Sequence, residues 1–338
     1  MVTPAGCCTT HRTATDELAR YPLTLLQRGM LFNKLSDAYQ TVDTTQLLIS
    51  DSRALDRELF ELSWRRTIQL HEVLRTRFSW PSGSEPHQIV EPEIEFKIKF
   101  VTWSCSQTDK TTDQLRHVVD ADAAVPLDLF STPAFRITVL DKGEQGYHFL
   151  WTFHHTALDA QSYVRILADV YRTYDALVSG CEFEPSPPEP FSKYVTWLET
   201  RDTGPDKKHW QEVLNGFQKP TQIGNSTTSP GKSGTAPRGI RTVRISEALV
   251  GSLKSTIERH ELTIFTVIMA AWSLLLNYHS GENDVVFGVT RSGRNAALSG
   301  IRYMVGLLIT TTPMRVALFR SNVALSSKPR RQPDRIAA

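Results

Sequence analysis

A change of period in the middle of the chain constrains the fold most. Residues 147–153, YHFLWTF, put Tyr147, Phe149, Trp151 and Phe153 at alternate positions. That is the spacing of a strand with one face against a core. Soon afterwards Val164, Leu167, Val170, Tyr171, Tyr174 and Leu177 recur at three and four, which predicts an amphipathic helix ending near Gly180. Between the two periods lies FHHTALDAQS, with two adjacent histidines and an aspartate four residues after the second. Alternation along a strand points His154 and His155 opposite ways, and His155 shares the parity of Phe153. Asp159 stands where the helix begins, a good N-cap.

The rest of the chain mixes the same two periods. TQLLIS (45–50), FRITVL (135–140), RTVRIS (241–246), DVVFGVT (284–290) and PMRVAL (313–318) read as strands. IEFKIKFV (94–101) alternates, with Ile94, Phe96, Ile98 and Phe100 on one face, and VLRTRFSW (73–80) reads as extended. Helices are expected from Leu55 to His71, with Leu55, Leu59, Leu62 and Ile68 inward, and within 193–202 and 207–217. Ser246 caps a helix carrying Leu249, Leu253 and Ile257, and Thr263 caps one carrying Phe265, Ile268, Trp272 and Leu275. The proline-rich GCEFEPSPPEPF (180–191) reads as a linker, and residues 224–239 read as a surface loop. The fold class is therefore mixed α/β, in two lobes joined near residue 185.

Composition narrows the function. Apolar residues make up 40% and charged residues 22% of the 338, the balance of a globular protein. A net charge of +2 gives no strong pull toward nucleic acid or an anionic membrane. No apolar run approaches a membrane span, and the N-terminus lacks the basic start and apolar stretch of a secretory signal. Four irregularly spaced cysteines predict a reduced, cytoplasmic protein. The histidine pair has no further ligands at metal-site spacing.

Read from the residues alone, the His-His-x-x-x-Asp string has two accounts. Asp159 can be a simple helix cap, with histidines that merely end a strand. Alternatively an imidazole takes a proton near neutral pH, which suits attack by an amine or hydroxyl on an acyl group. A nearby carboxylate then pairs with a basic residue and holds the loop. The N–H groups at the start of the helix would face a developing oxyanion.

Several stretches, in order, resemble one family. FHHTALDAQS resembles the His-His-x-x-x-Asp-Gly signature of condensation domains of nonribosomal peptide synthetases, members of the chloramphenicol acetyltransferase-like superfamily. YPLTLLQRGMLF (21–32) is similar to their opening motif, and HEVLRTRF (71–78) to their second. YVTWLETRD with HWQEVLNGF resembles their middle region, and DVVFGVTRSGRN with MVGLLITTTPMRV (304–316) a later motif. The resemblance implies two acetyltransferase-like lobes around a V-shaped cleft. Its expected divisions are a disordered leader at 1–20, an N-terminal lobe at 21–184, a partial second lobe at 185–318 and a disordered basic tail at 319–338. It implies acyl transfer from a carrier- or CoA-linked thioester, forming an amide or ester in secondary-metabolite biosynthesis. It implies no bound cofactor or metal. Substrates ride on the phosphopantetheine of carrier proteins, and the acceptor is an amine or alcohol. Carried over by position, His155 is the catalytic base or positioning group. His154 supports the loop, and Asp159 is a structural carboxylate with Arg75 as partner and Arg77 as fallback.

Four departures accompany the resemblance. Ala160 stands where the signature has glycine, Leu70 replaces an arginine before His71, and Thr310 replaces an asparagine. The pattern also stops near Leu318, which predicts an incomplete second lobe with uncovered apolar faces. These departures motivate the alternative of a catalytically degenerate domain that binds carrier proteins without turnover.

Overall fold

A computed structural model describes residues 19–35, 43–103, 108–223 and 242–318. The expected leader and tail lie largely or wholly outside the described residues, as does the loop at 224–239.

The strand at 147–153 is the centre of the first lobe. As β7 (Tyr147–His154) it is buried along its whole length. It lies between β2 (Thr44–Asp51) and β6 (Phe135–Asp141), antiparallel to both, and β5 (Lys99–Thr102) joins β6 in parallel. A smaller antiparallel sheet holds β1 (Ala19–Pro22), β4 (His87–Val90) and β3 (Thr76–Ser79), in that order. Two helices, α2 (Arg57–Leu70) and α4 (Ala160–Val178), cover the β7 face. Trp64 of α2 meets Trp151 at 5.1 Å, and Phe60 meets Phe149 edge-on at 5.7 Å. Such aromatic contacts add to the burial term that holds the layers together.

The helix periods are right in kind, with two positions misplaced. Ile68, Val170 and Tyr174 are buried as expected, but Leu62 and Val164, also expected inward, are 37% and 60% exposed, with Phe60, Trp64 and Ile166 buried beside them. Each of these two lies two positions from a buried residue, about 200° around a helix of 3.6 residues per turn. Phe96 and Ile98 are buried as their alternation predicts, but strand pairing starts only at Lys99. Residues 72–75 form one turn of 3-10 helix before β3, and residues 242–246 form no strand.

A short helix, α1 (Leu25–Leu35), begins with a reciprocal cap: Thr24 N–H donates to Gln27 Oε1, and Gln27 N–H to Thr24 Oγ1. α3 (Thr108–Ala123) precedes β6. Beyond the proline-rich stretch, which forms no helix or strand, lie α5 (Phe191–Thr200), α6 (Gly204–Val213), α7 (Glu247–Arg259) and α8 (Ile264–Ser280). β8 (Asp284–Arg291) then pairs antiparallel with β9 (Thr310–Ala317). Ser246 and Thr263 cap α7 and α8 as expected. A second core joins Phe191, Tyr194 and Val195 of α5 to Ile301, Met304 and Leu308. The apolar residues Phe265, Ile268, Trp272 and Leu275 of α8 are exposed. No single described helix is long and apolar enough to cross a membrane.

Candidate active site

The ladder between β2 and β7 delivers the histidine pair. Thr44 pairs with His154, and the N–H of His155 donates to Asp43 O at 2.7 Å. The two rings then diverge, as alternation predicts. His154 is fully buried. Its Nδ1 accepts from the Thr156 N–H at 3.1 Å and lies 2.6 Å from Thr156 Oγ1. A backbone N–H can only donate, so this Nδ1 carries a lone pair, and the ring tightens the turn. Gln27 Nε2 reaches across from α1 to Thr156 O at 3.0 Å, fixing the turn from the other side.

His155 is half-buried, with its ring 6.4 Å from that of Phe153. Its Nδ1 lies 2.8 Å from Leu158 O. A carbonyl only accepts, so Nδ1 carries the proton and Nε2 the lone pair. Nε2 has no hydrogen-bond partner among the described residues. This is the tautomer a general base needs, held by the backbone of its own loop.

Asp159 locks that loop. It is fully buried and caps α4, accepting from the Ser162 N–H at 3.0 Å. Arg294, 5% exposed, clasps it with both ends: Nη1 to Oδ2 at 2.6 Å and Nη2 to Oδ1 at 2.9 Å. The Leu308 N–H donates to Oδ2 at 3.1 Å. Ser162 Oγ accepts from Gly306 N at 3.0 Å and from Arg294 Nη2 at 2.9 Å. Its one proton serves Asp159 Oδ1 or Gly306 O, each at 2.8 Å. Gly306 is required here, because a Cβ would sit 2.3 Å from the Phe191 ring. Two charges are thus buried with nearly every lone pair and proton matched, the condition under which a buried ion pair is tolerable. Burial pushes the neighbouring Tyr194 phenol up to about 12, so it stays neutral.

The partner of Asp159 differs from the one the resemblance implies. Arg75 does not reach it. Its Nε donates to Ile68 O at 3.2 Å and its Nη1 to the carbonyls of Glu91 and Pro92, so it ties the end of α2 to the end of β4. Burial lowers its pKa. Arg77 instead pairs with Glu91 at 2.6 Å. Arg294 is not among the expected partners, although it lies in TRSGRN, within one of the family-like stretches. Sequence distance hides the contact, which spans 135 positions. The usable signal is an arginine next to Gly293, whose φ is +67° and whose added Cβ would strike Leu308 O. Ala160, which stands where the signature has glycine, is an exposed first residue of α4 following an extended Asp159. It is not among the described non-glycine residues with positive φ. His71, beside Leu70, forms a buried pair with Asp169 at 2.9 Å. Thr310 is buried, and its Oγ1 has no partner among the described residues. Among the described residues, no three His, Cys, Asp or Glu side chains are grouped to hold a metal ion.

A family model described as Condensation domain matches residues 17–327. The chain belongs to the condensation-domain family. This condensation domain is 35% identical over 302 residues to a linear gramicidin synthase protein of Brevibacillus parabrevis. The match covers 88% of the chain but only 4% of that much longer relative. Among solved structures, it resembles the epimerization domain from the third module of tyrocidine synthetase B, with a TM-score of 0.77 and 14% identity. That match covers 92% of this chain and 71% of the other. The first condensation domain of the calcium-dependent antibiotic synthetase superposes with a TM-score of 0.72 at 18% identity, covering 89% of this chain and 70% of the other. These likenesses establish the acetyltransferase-like α/β fold of the domain.

Proposed function

We propose that this condensation domain catalyses acyl transfer between a thioester donor and an amine or alcohol acceptor, both brought to the cleft on or from carrier proteins. The observation that carries this reading is the His155 tautomer. Nδ1–H is tied to Leu158 O, and the lone pair of Nε2 is left for a substrate proton. The acceptor nitrogen or oxygen attacks the thioester carbon. As the new bond forms, Nε2 takes or orients the acceptor proton. The carbon–sulfur bond breaks, and the thiolate leaves and is protonated. His154 and Asp159 touch no reacting atom in this scheme; they are positioning residues that hold the turn. Phosphopantetheine belongs to the substrate, and the chain supplies no cofactor of its own.

The test is amide or ester formation from an acyl thioester and a panel of acceptors, read by mass spectrometry, with His155→Ala as control. Product with wild type and none with the variant supports the reading. Equal product from both removes His155 from the chemistry.

A second reading is favoured by one observation: the buried Thr310 hydroxyl has no partner among the described residues, at a position where the family pattern has an amide. On that reading the domain binds carrier proteins without turnover. Carrier binding with no product from any donor and acceptor pair would favour it.

A further inference from the structure

Two buried glutamines meet behind the histidine turn. Gln27 lies in the first turn of α1 and Gln88 in β4, the central strand of the small sheet, and each is 1% exposed. Their amides bond reciprocally: Gln27 Nε2 donates to Gln88 Oε1 at 3.3 Å, and Gln88 Nε2 to Gln27 Oε1 at 3.1 Å. The other two amide protons go to backbone carbonyls, from Gln88 to Pro22 O at 3.1 Å and from Gln27 to Thr156 O at 3.0 Å. Gln27 Oε1 also accepts the Thr24 N–H at 2.9 Å. A carbonyl only accepts and a backbone N–H only donates, so these partners fix which end of each amide points where. A flipped Gln27 would set oxygen against Thr156 O and nitrogen against the Thr24 N–H. A flipped Gln88 would set oxygen against Pro22 O. All four amide protons are used, and a fully satisfied buried network of this kind is rigid.

What the pair holds is one peptide plane. The carbonyl of Thr156 and the N–H of Ala157 belong to the same rigid unit. Gln27 grips its oxygen, and its N–H donates to His154 O at 3.1 Å. The next peptide but one carries Leu158 O, which accepts the His155 Nδ1–H, and the Asp159 N–H, which donates to Gly306 O at 3.3 Å. Only Ala157 and Leu158, both buried, separate the two planes. The first plane sets the direction in which the chain reaches Leu158, so the place of that carbonyl against His155 depends on Gln27. Without the Gln27 amide, the carbonyl of a fully buried residue loses this donor and turns toward another.

We propose that the Gln27–Gln88 pair selects the His155 tautomer: it holds the turn so that Leu158 O meets Nδ1–H and the lone pair stays on Nε2. Both glutamines are positioning residues. Gln88 bonds to Pro22 O and to the Gln27 amide, and acts on the turn through Gln27. The value of this tautomer for turnover rests on the acyl-transfer reading above; its selection does not.

The tautomer is read without turnover, by long-range proton–nitrogen NMR of the full chain with ¹⁵N-labelled histidine, the His155 signals being those missing from His155→Ala. Wild type is expected to show a pyrrole-type Nδ1 and a pyridine-type Nε2 at His155. Gln27→Met keeps the length of the side chain and removes the donor, and is expected to move these signals toward the Nε2–H form that free histidine favours. Gln88→Met is expected to move them the same way but less, because Gln27 keeps its own bond to Thr156 O; it also carries the test should Gln27→Met fail to fold. Arg75→Ala weakens the fold through other contacts and is expected to leave the signals in place. An unmoved tautomer in both glutamine variants overturns the proposal, as does an equal shift in Arg75→Ala. A shift in Gln27→Met alone removes Gln88 from the arrangement. A second arm measures acyl transfer, where Gln27→Met is expected to lower kcat about 10- to 10²-fold with KM little changed. A lowered kcat with the tautomer unmoved overturns the proposal. A moved tautomer with kcat unchanged leaves the positioning role standing and sinks the reading of His155 as the base. Absence of the Nδ1–H form from wild type overturns both.

Discussion

Asparagine at position 159 would keep the size of the side chain and one acceptor for the α4 cap, but remove its charge. Arg294 would then be a buried guanidinium without its counter-ion, at 5% exposure. Removing one partner of a buried pair costs roughly 3–5 kcal/mol, against a total stability on the order of 5–15 kcal/mol. Asp159→Ala loses the cap at Ser162 N as well, about 1 kcal/mol more. Arg294→Met strands the opposite charge and costs a similar roughly 3–5 kcal/mol. The informative variant is the double one, Asp159→Asn with Arg294→Met, which leaves no unpaired charge. Its loss is expected to fall short of the sum of the singles by about 3 kcal/mol. The assay is urea unfolding followed by far-UV circular dichroism, comparing midpoints at constant slope. Single losses that simply add in the double variant would refute the claim that these two residues form one unit.

Further outcomes follow from the same geometry. Gly306→Ala drives a methyl group into the Phe191 ring and is expected to cost about 1–3 kcal/mol, read as a lowered melting temperature. Arg75→Ala is expected to lower thermal stability while leaving kcat at the wild-type level, since its partners are the carbonyls of Ile68, Glu91 and Pro92; a kcat loss as large as that of Arg294→Met would place Arg75 at the site after all. Burial acts to raise the Asp122 pKa, but hydrogen bonds from Arg136, Thr152 and Gln46 outweigh it and hold the carboxyl below the usual range. The folded state therefore binds fewer protons there than the unfolded chain. Its stabilisation is full above about pH 4 and is lost as pH falls further. Asp122→Asn is expected to flatten the melting-temperature profile below that pH; an unchanged acid slope would contradict this.

The site is legible in the sequence where its geometry is local. The strand-to-helix switch places His154, His155 and Asp159 correctly, because a period of two running into a period of 3.6 leaves little freedom in the turn between. His154 and Asp159 make buried hydrogen bonds within that turn. The partner of Asp159 is not legible. Arg75 and Arg294 are both arginines in family-like stretches, and only the fold shows that β4 occupies the first while the chain after β8 brings the second to α4. Ser162 and Gly306 escape for a related reason. Each acts through a backbone approach that a linear pattern does not encode. The helix faces are legible in most positions: Ile68, Val170 and Tyr174 are buried as expected, while Leu62 and Val164 are exposed, since leucine and valine are common on exposed faces and the larger Phe60 and Trp64 take the inward places on α2.

The central claim is that Nε2 of His155 handles the acceptor proton. The direct measurement is the single-turnover rate of amide formation from an acyl thioester by wild type and His155→Ala, with melting temperatures taken on the same samples. The account predicts a loss of about 10²–10⁴-fold with the melting temperature little changed. A variant that melts like wild type and transfers the acyl group at the wild-type rate would contradict it.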